Sequence, residues 1–152
     1  MIEWLAERKI VFVEQPMPKL NFEDACWLKE RSPLPIMADE SVQRFLDVEK
    51  IASAFHGINI KLMKCAGIRE ARQMIEKARA LNLKILIGCM NESSCANLAA
   101  AQLAPLADWV DLDGPFMITN NPFEDPLLSE GKIILPCLPG IGLVKKTPSA
   151  NY

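Results

Sequence analysis

The chain has 152 residues, of which 50% are hydrophobic, and a formal net charge of −2 from 17 Lys and Arg against 19 Asp and Glu. These values are typical of one globular domain with a substantial core, and they exclude collagen-like, disordered and small disulfide-stapled chains. They also disfavour nucleic acid as a partner, because binding to a phosphate backbone needs a surplus of positive charge.

Five cysteines, an odd number, lack the CxxC spacing of a zinc site or a redox pair, so we interpret them as free thiols of a reducing compartment. No apolar stretch approaches the ~18 residues of a membrane span. The start of the chain lacks the basic and then apolar pattern of a secretion signal. We therefore expect a cytoplasmic protein without a membrane partner.

Short apolar runs alternate with helical patterns along the whole chain. Runs of this kind are typical of parallel strands that are buried on both faces. The predicted strands are 9–13, 34–38, 57–60, 83–88 and 108–110, and the predicted helices are 1–8, 22–31, 42–54, 68–81 and 93–106. The tryptophans of the first two helices, Trp4 and Trp27, are expected to lie in the core.

The alternation indicates an α/β fold of right-handed βαβ units, and the length of the repeat favours a barrel. Glu14 and Asp39 are 25 residues apart, and Asp39 and Lys61 are 22 apart. This spacing is close to the ~30 residues per unit of a (β/α)₈ barrel, so the chain contains about five of its eight units.

Charged residues follow the predicted strands at their carboxyl ends, where such barrels place their active sites. They are Glu14, Asp39, Lys61, Asp111 and Asp113. One charged residue at a strand end is usually a solvated loop residue. Because the pattern recurs over several units, we interpret these residues as a site.

Glu14 and Asp39 end neighbouring strands, where two carboxylates repel each other unless a cation lies between them. Oxygen ligands favour a hard ion, and Mg²⁺ is the natural candidate. The alternative is that Asp39 is the N-cap of the helix that begins near Ser41.

Lys61 ends a buried strand beside this predicted cation site. Burial and a neighbouring positive charge both lower the pKa of a lysine, so Lys61 is a candidate general base. The alternative is a lysine whose stem lies along the strand end with its ammonium group in water. An amine base with a divalent cation suits removal of a proton next to a carboxylate. His56, the only histidine, is interpreted as structural, which leaves little for Ser-His or Cys-His chemistry.

Four ordered motifs then resemble one family. They are VEQP at 13–16, ADES at 38–41, NIKLMK at 59–64 and DLDG at 111–114. Together they resemble the muconate-lactonising subgroup of the enolase superfamily, and most closely its dipeptide epimerases of the L-Ala-D/L-Glu type. The resemblance runs from the first residues to about Lys146.

The resemblance implies the C-terminal portion, about strands 4 to 8, of a (β/α)₇β TIM-like barrel over residues 1–130. Residues 131–146 would return to a capping domain, and 147–152 would form a disordered tail. The capping domain, the first strands, a second lysine and a third metal acid have no counterpart in this sequence. Ala66 stands where relatives commonly have a glycine.

The resemblance also implies roles for individual residues. Glu14 and Asp39 would hold Mg²⁺, and Lys61 would be one of two acid/base lysines that move a proton on opposite faces of the substrate α-carbon. Asp111 and Asp113 would bind the α-ammonium group of a dipeptide, and Glu92 would line the pocket.

The expected function is therefore that of an isomerase, a Mg²⁺-dependent epimerase of dipeptides working by 1,1-proton transfer through a metal-stabilised enediolate, as part of a complete enzyme. The isolated chain is expected to be inactive. One alternative is a muconate cycloisomerase or an o-succinylbenzoate-synthase-like enzyme, and another is a non-catalytic half-barrel module. An incomplete barrel exposes sheet edges, so we also expect a homo-oligomer or pairing with the missing N-terminal part.

Overall fold

A five-stranded parallel sheet forms the centre of the computed structural model, which describes residues 1–147. Neighbouring strands follow the order of the chain, as in a barrel of successive β/α units. The strands are β1 (Val13–Glu14), β2 (Ile36–Ala38), β3 (Gly57–Lys61), β4 (Lys84–Gly88) and β5 (Trp109–Val110). The sequence therefore identified every strand of this sheet, although the bounds differ.

The largest difference is in β1, which begins at Val13 and not at position 9. Lys9 has a φ of 60° and closes the turn after the first helix, where Ile10 N–H donates to the carbonyl of Leu5. The chain therefore reaches the sheet only at Val13, whose N–H donates to the carbonyl of Pro35.

Five α-helices connect the strands or precede them. They are α1 (Ile2–Glu7), α2 (Phe22–Arg31), α3 (Phe45–Ile51), α4 (Ile68–Ala80) and α5 (Ser94–Ala101). The bounds of α2 are those predicted. Helix α3 is shorter than the predicted 42–54, because the Asp47 carboxylate accepts hydrogen bonds from the Gln43 and Arg44 amides and begins the helix there. Helix α5 is followed by a separate 3₁₀ turn at Ala104–Leu106, since Pro105 cannot continue an α-helix.

The main core lies between the sheet and its helices. Alternate residues of β3 and β4 point to this side and are buried against α4, as the period of two residues in a strand requires. At roughly 1.5–3 kcal/mol for each fully buried aliphatic side chain, these contacts are the main favourable contribution to folding. The residues are Ile58, Ile60, Ile85 and Ile87 on the strands and Ala71, Met74, Ile75 and Ala78 on the helix.

The other face of the sheet is concave. The rings of Phe12, just before β1, and Trp109 on β5 have centroids 4.9 Å apart. Five strands laid flat would place these two edges roughly 19 Å apart at the usual strand spacing. The sheet is therefore curled like part of a barrel, and its first and last strands meet across the inside.

A separate antiparallel hairpin follows the sheet, formed by β6 (Leu127–Ser129) and β7 (Lys132–Ile134). Its turn contains Glu130 and Gly131, both with positive φ. The predicted boundary between the partial barrel, residues 1–130, and the segment that would return to a capping domain, residues 131–146, falls in this turn. It stays a prediction. The predicted disordered tail lies outside the described residues from position 148 onward.

The prediction for the two tryptophans is wrong, since Trp4 is 53% exposed and Trp27 is 55% exposed. Each carries the guanidinium group of an arginine over its ring, Arg8 on Trp4 and Arg31 on Trp27. The residues described here do not cover the outer faces of α1 and α2, and in α2 only Ala25 is buried. All five cysteines are free.

Candidate active site

The predicted site residues lie together at the carboxyl edge of the sheet. Glu14 ends β1, Asp39 directly follows β2, and Lys61 ends β3. The remaining three residues follow β4 and β5; they are Glu92, Asp111 and Asp113. Because the five strands are parallel, their carboxyl ends share one rim, which is where barrel enzymes place their active sites.

The carboxylate of Asp39 is held by two ammonium groups. Lys61 Nζ donates to its Oδ2 at 2.8 Å, and Lys64 Nζ donates to its Oδ1 at 2.5 Å. Lys64 also donates to the Asp39 carbonyl at 2.8 Å. The hypothesis that Asp39 is a helix N-cap is wrong, because α3 begins six residues later at Phe45 and Arg44 takes the N-cap position.

These contacts set the pKa values of the three groups. Burial alone would raise the pKa of Asp39, but the hydrogen bonds from Lys61 and Lys64 outweigh it and hold that pKa below its usual value. Burial likewise opposes the charge of Lys61, yet the hydrogen bond to Asp39 raises the pKa of Lys61. The lowering predicted for Lys61 beside a bound cation stays a prediction, since the charged neighbour of Lys61 in the structure is the Asp39 carboxylate. Burial lowers the pKa of Lys64 despite its contact with Asp39.

Asn59 on β3 orients the Glu14 carboxylate. Asn59 belongs to the NIKLMK motif, but the sequence alone did not predict this role. Asn59 Nδ2 donates to Glu14 Oε1 at 2.5 Å, and Asn59 itself is only 2% exposed. Its Oδ1 is buried without a hydrogen-bond partner among the described residues. Gly88 on β4 makes room for this amide, because a Cβ at position 88 would overlap it. The available signal was the position of Asn59 two residues before Lys61, on the same face of the strand.

The two acids after β5 remain exposed and border a cavity of about 550 Å³, together with Phe116 and Leu128. Partial loss of solvent around Asp111 raises the pKa of its carboxyl, and repulsion from Asp113 raises it further. Their loop is tied to β4 by Gly114 N–H, which donates to Cys89 Sγ at 3.2 Å. Two carboxylates that repel each other at a cavity edge are suited to a cation or an ammonium group.

Glu92 is 7% exposed, and neither of its carboxylate oxygens has a hydrogen-bond partner within residues 1–147. Burial raises the pKa of this carboxyl. An unpaired carboxyl buried at the rim is an unusual feature, because buried polar groups are generally hydrogen-bonded.

Oxygen atoms of the kind that a divalent cation prefers lie at the rim. Glu14 and Asp39 offer carboxylate oxygens, and the unpartnered Asn59 Oδ1 adds a buried oxygen beside Glu14. Asp39 is at present neutralised by ammonium groups, so it suits a positive charge. Across positions 1 to 147 no three His, Cys, Asp or Glu side chains are grouped to hold a metal ion. These residues therefore fit two acidic ligands of a hard cation that prefers about six oxygens.

Known proteins of similar sequence indicate which family this chain resembles. The family model described as Enolase C-terminal domain-like matches residues 1–147. The L-Ala-D/L-Glu epimerase of Bacteroides thetaiotaomicron is 52% identical over 145 residues, which are 95% of this chain and 38% of that protein. The L-Ala-D/L-amino acid epimerase of Pedosphaera parvula is 48% identical over 125 residues, or 81% of this chain and 36% of that protein.

Solved structures show the same fold. A muconate cycloisomerase variant superposes with a TM-score of 0.88 at 29% identity, and the match covers 95% of this chain and 42% of that one. A substrate-liganded L-Ala-D/L-Glu epimerase from Bacillus subtilis superposes with a TM-score of 0.84 at 30% identity, with the same coverage. The curled sheet is therefore the C-terminal part of a TIM-like barrel.

The chain spans about two fifths of the length of the relatives it matches, 38% of the first and 42% of the solved structures above. Within residues 1–147, no helix combines the length and apolar character needed to cross a membrane. The match of the family model over 147 of 152 residues, together with the shared fold, shows that the chain belongs to the enolase C-terminal domain-like family.

Proposed function

We propose that this chain supplies one proton-transfer group, two metal acids and the ammonium receptor of a dipeptide epimerase, an isomerase of the L-Ala-D/L-Glu type. The observation that carries the proposal is the 2.8 Å contact between Lys61 and Asp39 at the rim, with Glu14 beside it. The names of the two relatives at 52% and 48% identity support the same activity.

Glu14 and Asp39 are the proposed ligands of Mg²⁺. When bound, Mg²⁺ would place positive charge beside the substrate carboxylate, which lowers the cost of removing the adjacent α-proton. Asn59 holds the Glu14 carboxylate from behind through its 2.5 Å hydrogen bond. Such support orients a ligand and tunes its affinity.

Lys61 is the proposed acid/base on one face of the substrate. As the neutral amine it takes the α-proton, and as the ammonium ion it returns one, so that it serves both directions of an epimerisation. Asp39 keeps the ammonium form of Lys61 in place by a hydrogen bond in the structure. A second acid/base on the opposite face, which the family resemblance implies, has no counterpart among the 152 residues.

Asp111 and Asp113 are the proposed receptor for the α-ammonium group of a dipeptide. Both side chains are exposed at one cavity, and neither has a basic side chain within salt-bridge distance among the described residues. Asp113 Oδ1 accepts a hydrogen bond from Cys89 Sγ at 3.8 Å, a neutral partner that leaves its charge uncompensated. Two such carboxylates attract a primary ammonium group and repel a purely anionic substrate. This pair therefore favours the epimerase over the cycloisomerase and o-succinylbenzoate-synthase alternatives.

The proposed place of action is the cytoplasm, which five free cysteines support because free thiols are typical of a reducing compartment. The proposed partner is a polypeptide that completes the barrel, since β1 and β5 each pair with a single neighbouring strand within residues 1–147. The non-catalytic half-barrel module remains the second candidate, and the same edges would serve it.

The test is a chimera in which this chain replaces the matching 145 residues of the Bacteroides thetaiotaomicron epimerase. We expect Mg²⁺-dependent interconversion of L-Ala-L-Glu and L-Ala-D-Glu, measured by chiral chromatography. The double variant Asp111→Asn, Asp113→Asn should lose this activity while it still folds and binds Mg²⁺. A folded chimera that binds Mg²⁺ and epimerises neither dipeptide would contradict the proposal and favour the module.

A further inference from the structure

We propose that Gln15 is a positioning residue that sets the spacing between the two acids Glu14 and Asp39. The inference rests on the proposed function, in which these acids hold one cation. It concerns how two side chains on separate strands are kept at a fixed separation, which a shared cation requires.

The amide of Gln15 links the loop after β1 to the loop after β2. Its Oε1 accepts hydrogen bonds from the Asp39 amide at 2.9 Å and from the Ser41 amide at 3.2 Å. Its Nε2 donates to the Met17 carbonyl at 2.8 Å and to Ser41 Oγ at 2.9 Å. Both donors and both lone pairs of the amide are therefore used.

The backbone of Gln15 has an unfavourable conformation. Its φ is 37°, in the left-handed region that residues other than glycine rarely adopt. Its N–H still donates to the Met37 carbonyl at 2.9 Å, so the residue continues the β1–β2 ladder while the chain turns away towards Pro16. A glycine at position 15 would adopt this φ without strain, but it would lose the side-chain amide. The strained backbone therefore accompanies the cross-link, which is the set of four hydrogen bonds that this amide makes.

The Gln15 side-chain amide and backbone connect directly to both acids. Glu14 is the residue just before Gln15, so the turn at Gln15 determines where Glu14 leaves β1. Asp39 is held by its own amide through Gln15 Oε1 and by its carboxylate through Lys61 and Lys64. Removing the amide would leave the ion pair intact but free the two loops to move relative to each other.

The test compares Gln15→Asn and Gln15→Gly with Asn121→Ala in the full 152-residue chain. Asn tolerates positive φ but is one methylene too short, and Gly relieves the strain. Asn121 is a matched control, because its amide also joins two segments, donating to Ser94 Oγ at 2.6 Å and to Asp125 at 2.7 Å, away from the acids. The readouts are amide hydrogen exchange at Asp39 and Ser41, thermal unfolding, and Mg²⁺ titration followed by NMR.

Both Gln15 variants should speed exchange at the Asp39 and Ser41 amides and weaken Mg²⁺ binding by about 10- to 100-fold, the usual effect of losing support behind a metal ligand. Asn121→Ala should lower the melting temperature and leave the Mg²⁺ constant unchanged. If the Gln15 variants lower only the melting temperature, as Asn121→Ala does, the positioning role is overturned. If neither the unaltered chain nor the chimera with the Bacteroides thetaiotaomicron epimerase binds Mg²⁺, the metal part of the proposed function fails instead, and exchange at Asp39 and Ser41 alone decides whether Gln15 joins the loops.

Discussion

Lys61 and Asp39 neutralise each other at the rim of the half-barrel, with 2.8 Å between Lys61 Nζ and Asp39 Oδ2. The proposed base and one of the proposed metal acids are thus direct partners. A cation that binds the Asp39 carboxylate would weaken its hydrogen bond to the Lys61 ammonium group. The pKa of Lys61 therefore depends on what else binds Asp39.

Asp39→Asn should lower the pKa of Lys61. The hydrogen bond and the charge of Asp39 raise this pKa in the structure, while burial opposes it, so removing the charge leaves burial as the dominant effect. The measurement is an NMR titration of the Lys61 side chain. Glu40→Gln is the control, since Glu40 is the exposed neighbouring acid and should change the pKa little. A pKa of Lys61 that is unchanged in Asp39→Asn would contradict the assignment of the ion pair.

Glu70→Gln should destabilise the loop that follows Lys61. The Glu70 carboxylate accepts hydrogen bonds from Arg44, from the Phe45 amide and from the Ala66 amide, which joins the starts of α3 and α4. Because the Arg44 side chain is 58% exposed, solvent screening limits the expected loss in the free energy of unfolding. We expect about 1 kcal/mol. Glu76→Gln is the matched control, since losing the exposed Arg72–Glu76 pair should lower the free energy of unfolding by only roughly 0.3 kcal/mol.

The stabilisation of the fold by the Glu70 carboxylate should depend on pH. Hydrogen bonds from Arg44 lower the pKa of Glu70 from 4.5 to about 2 in the folded chain. A lowered carboxyl pKa stabilises the fold above the unfolded pKa and ceases to do so as pH falls through the folded pKa. The difference in melting temperature between Glu70→Gln and the unaltered chain should therefore be full above pH 4.5 and vanish towards pH 2. A difference that stays constant over this range would contradict a lowered pKa of Glu70 in the folded chain.

Gly88→Ala should disturb Asn59 and, through it, Glu14. A Cβ at position 88 would overlap the Asn59 amide, which is fixed by its hydrogen bond to Glu14. We expect a loss of about 1–3 kcal/mol in the free energy of unfolding, typical of overpacking, and shifted NMR signals of the Asn59 side-chain amide. Gly131→Ala is the control: its Cβ would meet no atom within 4 Å, although its positive φ carries a cost of its own. If the Asn59 signals are the same in both variants, Gly88 does not make room for that amide.

The sequence predicted the periodic features of the fold and the rim, because both follow from local patterns. Continuous apolar runs mark the buried strands, and the charged residues at their ends share one edge once the strands are parallel. The helix α2 was predicted with its observed bounds for the same reason.

Features that depend on distances between strands could not be predicted in this way. The contact between Asn59 and Glu14 joins residues that are 45 positions apart. The strand period places Asn59 on the same face as Lys61 but does not say which side chain it contacts. The direction of the pKa change of Lys61 depends on whether Asp39 or a cation is its nearest charge. The exposure of Trp4 and Trp27 depends on what covers the outer faces of α1 and α2, which helical periodicity alone does not contain.

In the proposed function, Lys61 moves the α-proton on one face of a dipeptide. In the chimera with the Bacteroides thetaiotaomicron epimerase, we would measure deuterium incorporation from D₂O at the α-carbon, starting separately from L-Ala-L-Glu and L-Ala-D-Glu. Lys77→Ala, which removes an ammonium group paired with Glu49 on the outer helices, should leave both exchange rates unchanged. Lys61→Ala should slow exchange from one isomer by at least about 100-fold while exchange from the other persists. Exchange from both isomers at the rates of the unaltered chimera would contradict this role of Lys61.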